Sequence, residues 1–267
     1  MKKQTTTELI TIIIILFCCI YSNKTYSQLE GNGLVFTYSF QRNNYESKYI
    51  LKFNDDYSIW EEINDLMPKT DANVNFMRSR KYHRRKVYKS ISDSLMISNY
   101  DIMAEKFYIK EQMGDLNWQI SDSTTVVLGK KCNLAKVKFR GRNYDVFYTP
   151  DITTSNGPWK FHGLPGLILK VVSKENEEYY KIECIEINKT SSKEDLSEVY
   201  KKYLSKKRRK FLSWNDFSKN VNLFINNVIK YHKSNYNYDE DEEGKSGFRL
   251  LNYLEIFHDS QKGTVWY

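Results

Sequence analysis

The stretch that decides the fold is CNLAKVKFRGRNYDVFY, Cys132–Tyr148. From Cys132 to Arg140 apolar and basic residues alternate: Ala135, Val137 and Phe139 fall on one side, Lys136, Lys138 and Arg140 on the other. That period of two describes a strand with one face buried and one face wet. Gly141-Arg142 turns the chain and Asn143–Tyr148 returns as the partner strand. Thr149-Pro150 ends it, because proline has no N–H to give to a ladder.

The same pattern recurs outward from this hairpin. Glu178–Ile187 alternates, with Tyr180, Ile182, Cys184 and Glu186 on one face. Upstream, Leu34–Phe40 puts Leu34, Phe36, Tyr38 and Phe40 together, and Tyr49–Phe53 with Tyr57–Trp60 makes a hairpin around Asn54-Asp-Asp56. Further strands are expected at Tyr82–Tyr88, Leu95–Asn99, Phe107–Lys110, Trp118–Ile120 and Thr124–Leu128, and residues 61–80 read as a polar loop. Aromatics make up 15% of the chain, with 21 Tyr and 14 Phe, which favours cross-strand aromatic packing over a helical bundle.

Composition shifts towards helix after residue 190. Ser191 or Ser192 can cap a segment in which Leu196, Val199, Tyr200 and Tyr203 recur at helical spacing. Ser213 with Asp216 starts a firmer helix, carrying Trp214, Phe217, Val221, Phe224, Val228 and Tyr231. The acidic run Asp239–Glu243 reads as an exposed loop, and Leu250–Phe257 as a last strand or short helix. The expected fold class is α+β: a mainly antiparallel, curved, half-barrel-like sheet with one or two C-terminal helices.

Residues 1–27 have the form of an export signal. Lys2 and Lys3 precede an apolar run, Leu9–Tyr21, broken only by Thr11, and Thr25-Tyr-Ser27 suits cleavage before Gln28. The run of 13 residues falls short of the roughly 20 that span a bilayer, so no stable transmembrane span remains after its removal. Cys18 and Cys19 raise a lipid anchor as the alternative, against which the bulky Ile-Leu-Phe before them speaks. Residues 28–267 then form a single domain, with its helical region at about 192–233. Loss of three lysines and one glutamate with the signal takes the formal charge from +8 to +6. Such a modest excess is a solvated face, and export excludes nucleic acid as a partner. The basic cluster Arg78–Lys86 is read in the same way, as the outward face of a strand. Cys132 and Cys184 stay behind in strands, where a disulfide and two buried thiols are both open.

Between the hairpin and the Glu178 strand lies SNGPWKFHGLPGLILKVV, Ser155–Val172, with two of the four prolines and three of the eleven glycines. Gly163-Leu-Pro-Gly166 reads as a type II turn, with Pro165 presetting φ and Gly166 taking the positive φ. Leu167–Val172 follows as an apolar strand. Trp159 and Phe161, two apart in an extended segment, share one face and either line an apolar groove or fill the core. The core is preferred, because nothing polar converges nearby.

On these residues the chain resembles the GLPGLI family of exported bacterial proteins. Gly163, Leu164, Pro165, Gly166, Leu167 and Ile168 reproduce the signature without a substitution. Trp118–Ile120, Gly129, Cys132, Gly141–Tyr144, Thr149-Pro150 and Gly157–Phe161 match around it, over roughly residues 108–187. Gly129-Lys-Lys-Cys132 departs from the pattern, which more often has an aromatic after the glycine. The resemblance implies an envelope protein of unassigned function and supplies no cofactor and no catalytic residue.

Chemistry-bearing motifs are sparse. His83, His162, His232 and His258 stand far apart without a zinc-ligand spacing, so no metal site is expected. No serine occupies a Gly-x-Ser-x-Gly elbow, and Gly244-Lys-Ser246 lacks the first glycine of a phosphate loop. His162 is the one candidate base in the signature loop, and Asp145 and Asp151 flank it as an acid/base pair or as turn and edge formers. Two function classes follow. One is a non-enzymatic binding or accessory protein whose partner is an envelope protein, a peptide or an apolar ligand. The other is a hydrolase using Asp145, Asp151 or His162.

Overall fold

The computed structural model describes residues 33–42, 45–63, 85–102, 105–175, 178–190, 194–207, 209–235, 257–258 and 265–266. The proposed signal, most of the 61–80 loop, His83, most of the Arg78–Lys86 cluster, Ser191 and Ser192, the acidic run and Leu250–Ile256 lie outside them.

Twelve strands form one open, curved sheet. In chain order they are β1 (Leu34–Arg42), β2 (Tyr45–Phe53), β3 (Tyr57–Ile63), β4 (Lys86–Ser90), β5 (Leu95–Ile102), β6 (Glu105–Gln112), β7 (Gln119–Val127), β8 (Lys130–Phe139), β9 (Arg142–Thr149), β10 (Leu167–Glu175), β11 (Glu178–Lys189) and the short β12 (Phe211–Leu212). The helices are α1 (Leu196–Leu204) and α2 (Trp214–Asn235), and β13 (Phe257–His258) pairs with β14 (Val265–Trp266) as a separate ribbon. The spatial order is β12-β6-β5-β4-β3-β2-β1-β11-β10-β9-β8-β7. Two antiparallel meanders thus run in opposite directions from the β1–β11 pair, where Leu34 faces Lys189 and Arg42 faces Tyr180. Among the described strands only β12, beside β6, pairs in parallel.

Tight turns set the hairpin registers. Asn54 Oδ1 accepts from the Asp56 and Tyr57 amides, closing β2 onto β3. Between β8 and β9 the two turn residues are Arg140 (φ 50°) and Gly141 (φ 81°), one position earlier than expected, because Phe139 already pairs with Arg142. Two successive positive φ values match the right-handed twist of the flanking strands.

The inner face is packed by cross-strand aromatics. Tyr49 stacks on Trp60 at 4.8 Å, Phe36 on Phe53 at 5.4 Å, and Tyr38 meets Trp60 edge-on at 5.1 Å. Inward residues of β8–β11, including Ala135, Val137, Val146, Val171 and Ile182, complete the same core. On the outer face α1 buries Leu196, Tyr200 and Tyr203 against Ile59, Tyr88 and Ile97. Its N-cap is Asp195, which accepts from the Ser197 and Glu198 amides, rather than the serines expected from the sequence. At α2, Ser213 Oγ accepts from the Asp216 amide at 3.1 Å and donates to its carboxylate at 2.7 Å, the start that the sequence led one to expect. Phe217 anchors α2 against Tyr100 and Phe107, with Trp214 of the same helix packed beside it.

Candidate functional site

The signature loop lies within the curve of the sheet, held by bonds that its own sequence dictates. After β9 the chain folds back on itself: the Gly163 amide donates to the Ser155 carbonyl at 2.8 Å, and Asn156 bridges His162. Trp159 and Phe161 are not in an extended segment. The Phe161 amide donates to the Pro158 carbonyl at 3.1 Å, making a turn in which Trp159 takes φ 51°. That turn drives both rings inward. Phe161 is fully buried and Trp159 nearly so, Phe161 against Tyr144 at 5.0 Å and Trp159 against Phe139 at 5.7 Å.

Gly163–Gly166 is tighter than a type II turn. The Gly166 amide bonds the Leu164 carbonyl at 2.9 Å, a three-residue γ-turn centred on Pro165, while the Leu167 amide goes to Ile152. Gly166, at φ 143°, is required for space as well as conformation: a Cβ there would stand 2.2 Å from the Thr149 carbonyl oxygen. Gly157 is required for packing, since its Cβ would meet Ile168 Cδ1 at 2.7 Å. Leu164, Leu167 and Ile168 are all buried, so the signature's aliphatics serve the core.

Two cations reach into this loop. Lys89 on β4 is fully buried, and its Nζ donates to the carbonyls of Gly157 at 2.8 Å and Phe161 at 2.7 Å. Burial lowers its pKa from 10.5 to about 7. Lys160, at the loop tip, is also fully buried and pairs with Glu111 of β6 at 2.6 Å, and Glu111 also binds Arg140. Trp214 of α2 roofs this triad, with Arg140 3.8 Å and Lys160 4.6 Å from its ring centre. The loop thereby ties β4 and β6 of one meander to the β8–β9 turn of the other.

The candidate acid/base residues do not converge. Asp145 is half exposed and faces Lys136 at 3.7 Å. Asp151 is half exposed and faces Lys130 at 3.9 Å. His162 Nδ1 lies 2.9 Å from the Lys160 carbonyl and Nε2 3.2 Å from the Gly114 carbonyl. Burial, and then the charge of Lys89, lowers its pKa, with the two carbonyls acting the other way. Trp118 Nε1 donates to the His162 carbonyl, so the residue is fixed at both ends. Cys132 and Cys184 are unbonded and buried, and burial pushes their pKa values to about 11 and about 12. Among the described residues no group of His, Cys, Asp and Glu could hold a metal ion.

Sequence reasoning missed Lys89, Glu111 and Arg142. Arg142, expected in a turn, opens β9 as a buried side chain with its guanidinium 4.3 Å over the Tyr180 ring. A charged residue in a period-two strand signals a wet face, and nothing local marks these three as exceptions.

No curated protein matches the chain. Among solved structures, PNGF-II in a P21 crystal form is 14% identical with a TM-score of 0.48, over 70% of this chain and 32% of that one. The MucA/MucB complex of Pseudomonas aeruginosa is 12% identical with a TM-score of 0.35, over 67% of this chain and 59% of that one. The chain therefore spans about a third of PNGF-II and about three fifths of the MucB-complex chain. A family model described as "Protein of unknown function (Porph_ging)" matches residues 88–170. That span runs from β4 to β10 and contains Lys89, Glu111, Lys160 and the whole signature loop, so it is in this loop and its supports that the chain is similar to that family.

Proposed function

We propose that this chain is an exported, GLPGLI-type protein of the bacterial cell envelope that acts as a non-enzymatic binding or accessory protein. Residues 1–27 are its signal peptide and residues 28–267 its single domain. Its partner is an envelope protein or an extended peptide.

One observation carries the reading: the most diagnostic part of the sequence is spent on holding the fold together. Trp159, Phe161, Leu164, Leu167 and Ile168 are buried, and Asp145, Asp151 and His162 each have separate partners. A general base works within hydrogen-bond reach of the proton it abstracts, and Asp145, Asp151 and His162 face separate neighbours rather than one another.

The test is crosslinking in the native envelope followed by mass spectrometry of what is captured, with the mature N-terminus read in the same experiment. The expected result is one envelope protein recovered repeatedly with a chain beginning at Gln28. Recovery of the chain from the cytosol with residues 1–27 intact, or alone in every crosslinking condition, would sink the proposal.

A further inference from the structure

The two ends of the sheet are finished differently. At one end β6 is continued by β12 and packed by α2, through Phe107 on Phe217 and Tyr108 beside Phe211. At the other end, among the described residues, β7 is the last strand, nine residues long, with β8 as its only neighbour in the sheet. An edge strand presents a row of N–H and C=O groups to any chain that can lie alongside it, and proteins usually blunt such edges with lysine, proline or a bulge. Here the strand itself, QISDSTTVV, has no proline and a single charge at Asp122. A register shift between Ser121 and Thr124 breaks its first half. Beyond that bulge Thr124–Val127 pairs regularly with Asn133–Lys130, a run of four β-branched residues suited to extended pairing.

Apolar side chains are exposed along the same edge. Ile120 is 62% exposed and Val126 69%, and Leu128 follows in the turn at 46%. The adjoining strand sets the charge. Lys131, Lys136 and Lys138 of β8 are all exposed, set against Asp145, 3.7 Å from Lys136, and Asp122 on β7 itself, which leaves a net excess of positive charge. A partner strand beside β7 would lie in a basic field with apolar contacts spaced along it.

From this we propose that the free edge of β7 binds an extended segment of a partner protein by strand addition, and that this segment alternates acidic with apolar residues. Main-chain hydrogen bonds supply the affinity, and Val126, Ile120 and the β8 lysines supply the selectivity. The proposal rests on the binding-protein reading above and gives it a site.

The experiment uses the full exported chain and a fluorescent ten-residue peptide alternating valine and glutamate, followed by anisotropy. The glutamate peptide is expected to bind, and its counterpart with lysine in place of glutamate to bind at least tenfold more weakly. In an antiparallel pair alternate amides face the neighbour and the solvent. N-methylation of one alternate set should therefore cost at least tenfold, while methylation of the other set leaves binding unchanged. The double change Lys131→Glu, Lys138→Glu should reverse the preference between the two peptides, and Val126→Pro should weaken both. Equal effects of the two methylation sets, or no binding by either peptide, would overturn strand addition. Self-association by sedimentation that Val126→Pro abolishes would overturn it too, by making a second copy the occupant. If crosslinking captures an envelope partner while the peptides fail, the edge site falls and the binding function stands.

Discussion

Lys89 brings an amine into the core where its bonds go to two carbonyls, and no carboxylate among the described residues pairs with it. A neutral amine can serve both carbonyls, so burial favours the uncharged form and brings the pKa to about 7. The unfolded chain keeps the ordinary value near 10.5. Between those values the unfolded state binds more protons, so this group makes stability rise with pH above 7, and its full penalty is present below 7. From pH 7 to 9 the gain should be ~2 kcal/mol. Urea denaturation of the native protein and of Lys89→Met at both pH values checks it: the difference between them should change by that amount, and parallel pH profiles would refute the assignment. Above pH 9 the buried thiols act in the opposite sense, since their raised values make the folded state hold protons longer. The same burial should keep both thiols silent to a thiol reagent at pH 8 in the folded exported chain and give two equivalents in denaturant. Fewer than two in denaturant without reductant would reveal a disulfide. Gly166→Ala tests the loop itself. With a Cβ 2.2 Å from a carbonyl oxygen, it should cost ~3 kcal/mol, whereas a loss below ~0.5 kcal/mol would mean that the Thr149–Pro150 backbone yields easily.

Helix α2 docks through one face. Phe217 is fully buried among Tyr100, Phe107 and Trp214, and Val221, about one turn on, is buried as well, whereas Leu223, on the other side of the helix, is 62% exposed. Phe217→Ala should therefore cost about 3–5 kcal/mol, and Leu223→Ala less than ~0.5 kcal/mol, by chemical denaturation. Similar losses at both positions would place the docking face elsewhere on the helix. That helix was legible because its start is local chemistry: a serine three residues before an aspartate, then apolar residues at helical spacing. The strands were legible for the same reason, as period-two alternation survives wherever one face is wet. What the sequence hid is non-local. Nothing near Leu34 announces that it pairs with Lys189, so the join between the meanders could not be read. Arg142 stacks on Tyr180, 38 residues further along, and from its neighbours alone it looks like an ordinary turn cation. Trp159 at positive φ was equally hidden, because the bulk that disfavours that conformation is offset by burying the ring. The glycine at Gly166 was legible, but the γ-turn was not, because the close approach of Gly166 to the Thr149 carbonyl is a contact between segments that the turn sequence does not show.

Besides the loop, the two ends of the open sheet are joined by the β6–β7 connection and by the pair that Glu111 of β6 makes with Arg140 of the β8–β9 turn. The connection from β6 to β7, residues 113–118, reaches at most roughly 25 Å, which keeps the ends near one another without fixing them. Fixing falls to the triad: Glu111 on β6 holds Lys160 of the loop and Arg140 of the β8–β9 turn, under the Trp214 ring. All three side chains are largely withdrawn from water, with 8% exposure at Glu111, 0% at Lys160 and 20% at Arg140. Removing one charge from such a buried group leaves its partners uncompensated and costs about 3–5 kcal/mol, more than the net worth of the pairs themselves. Glu111→Gln should therefore destabilise strongly, Lys160→Met less, and the double variant less than the sum, with a coupling of about 1–3 kcal/mol. A merely local ion pair would give the same coupling, so the readout that decides is amide exchange. If the triad clasps the two meanders, Glu111→Gln should speed exchange in residues 155–166, in β6 and at the β8–β9 turn together, while the β1–β11 pair keeps its protection. Faster exchange confined to β6 would show that the sheet's curvature is held by the aromatic core alone.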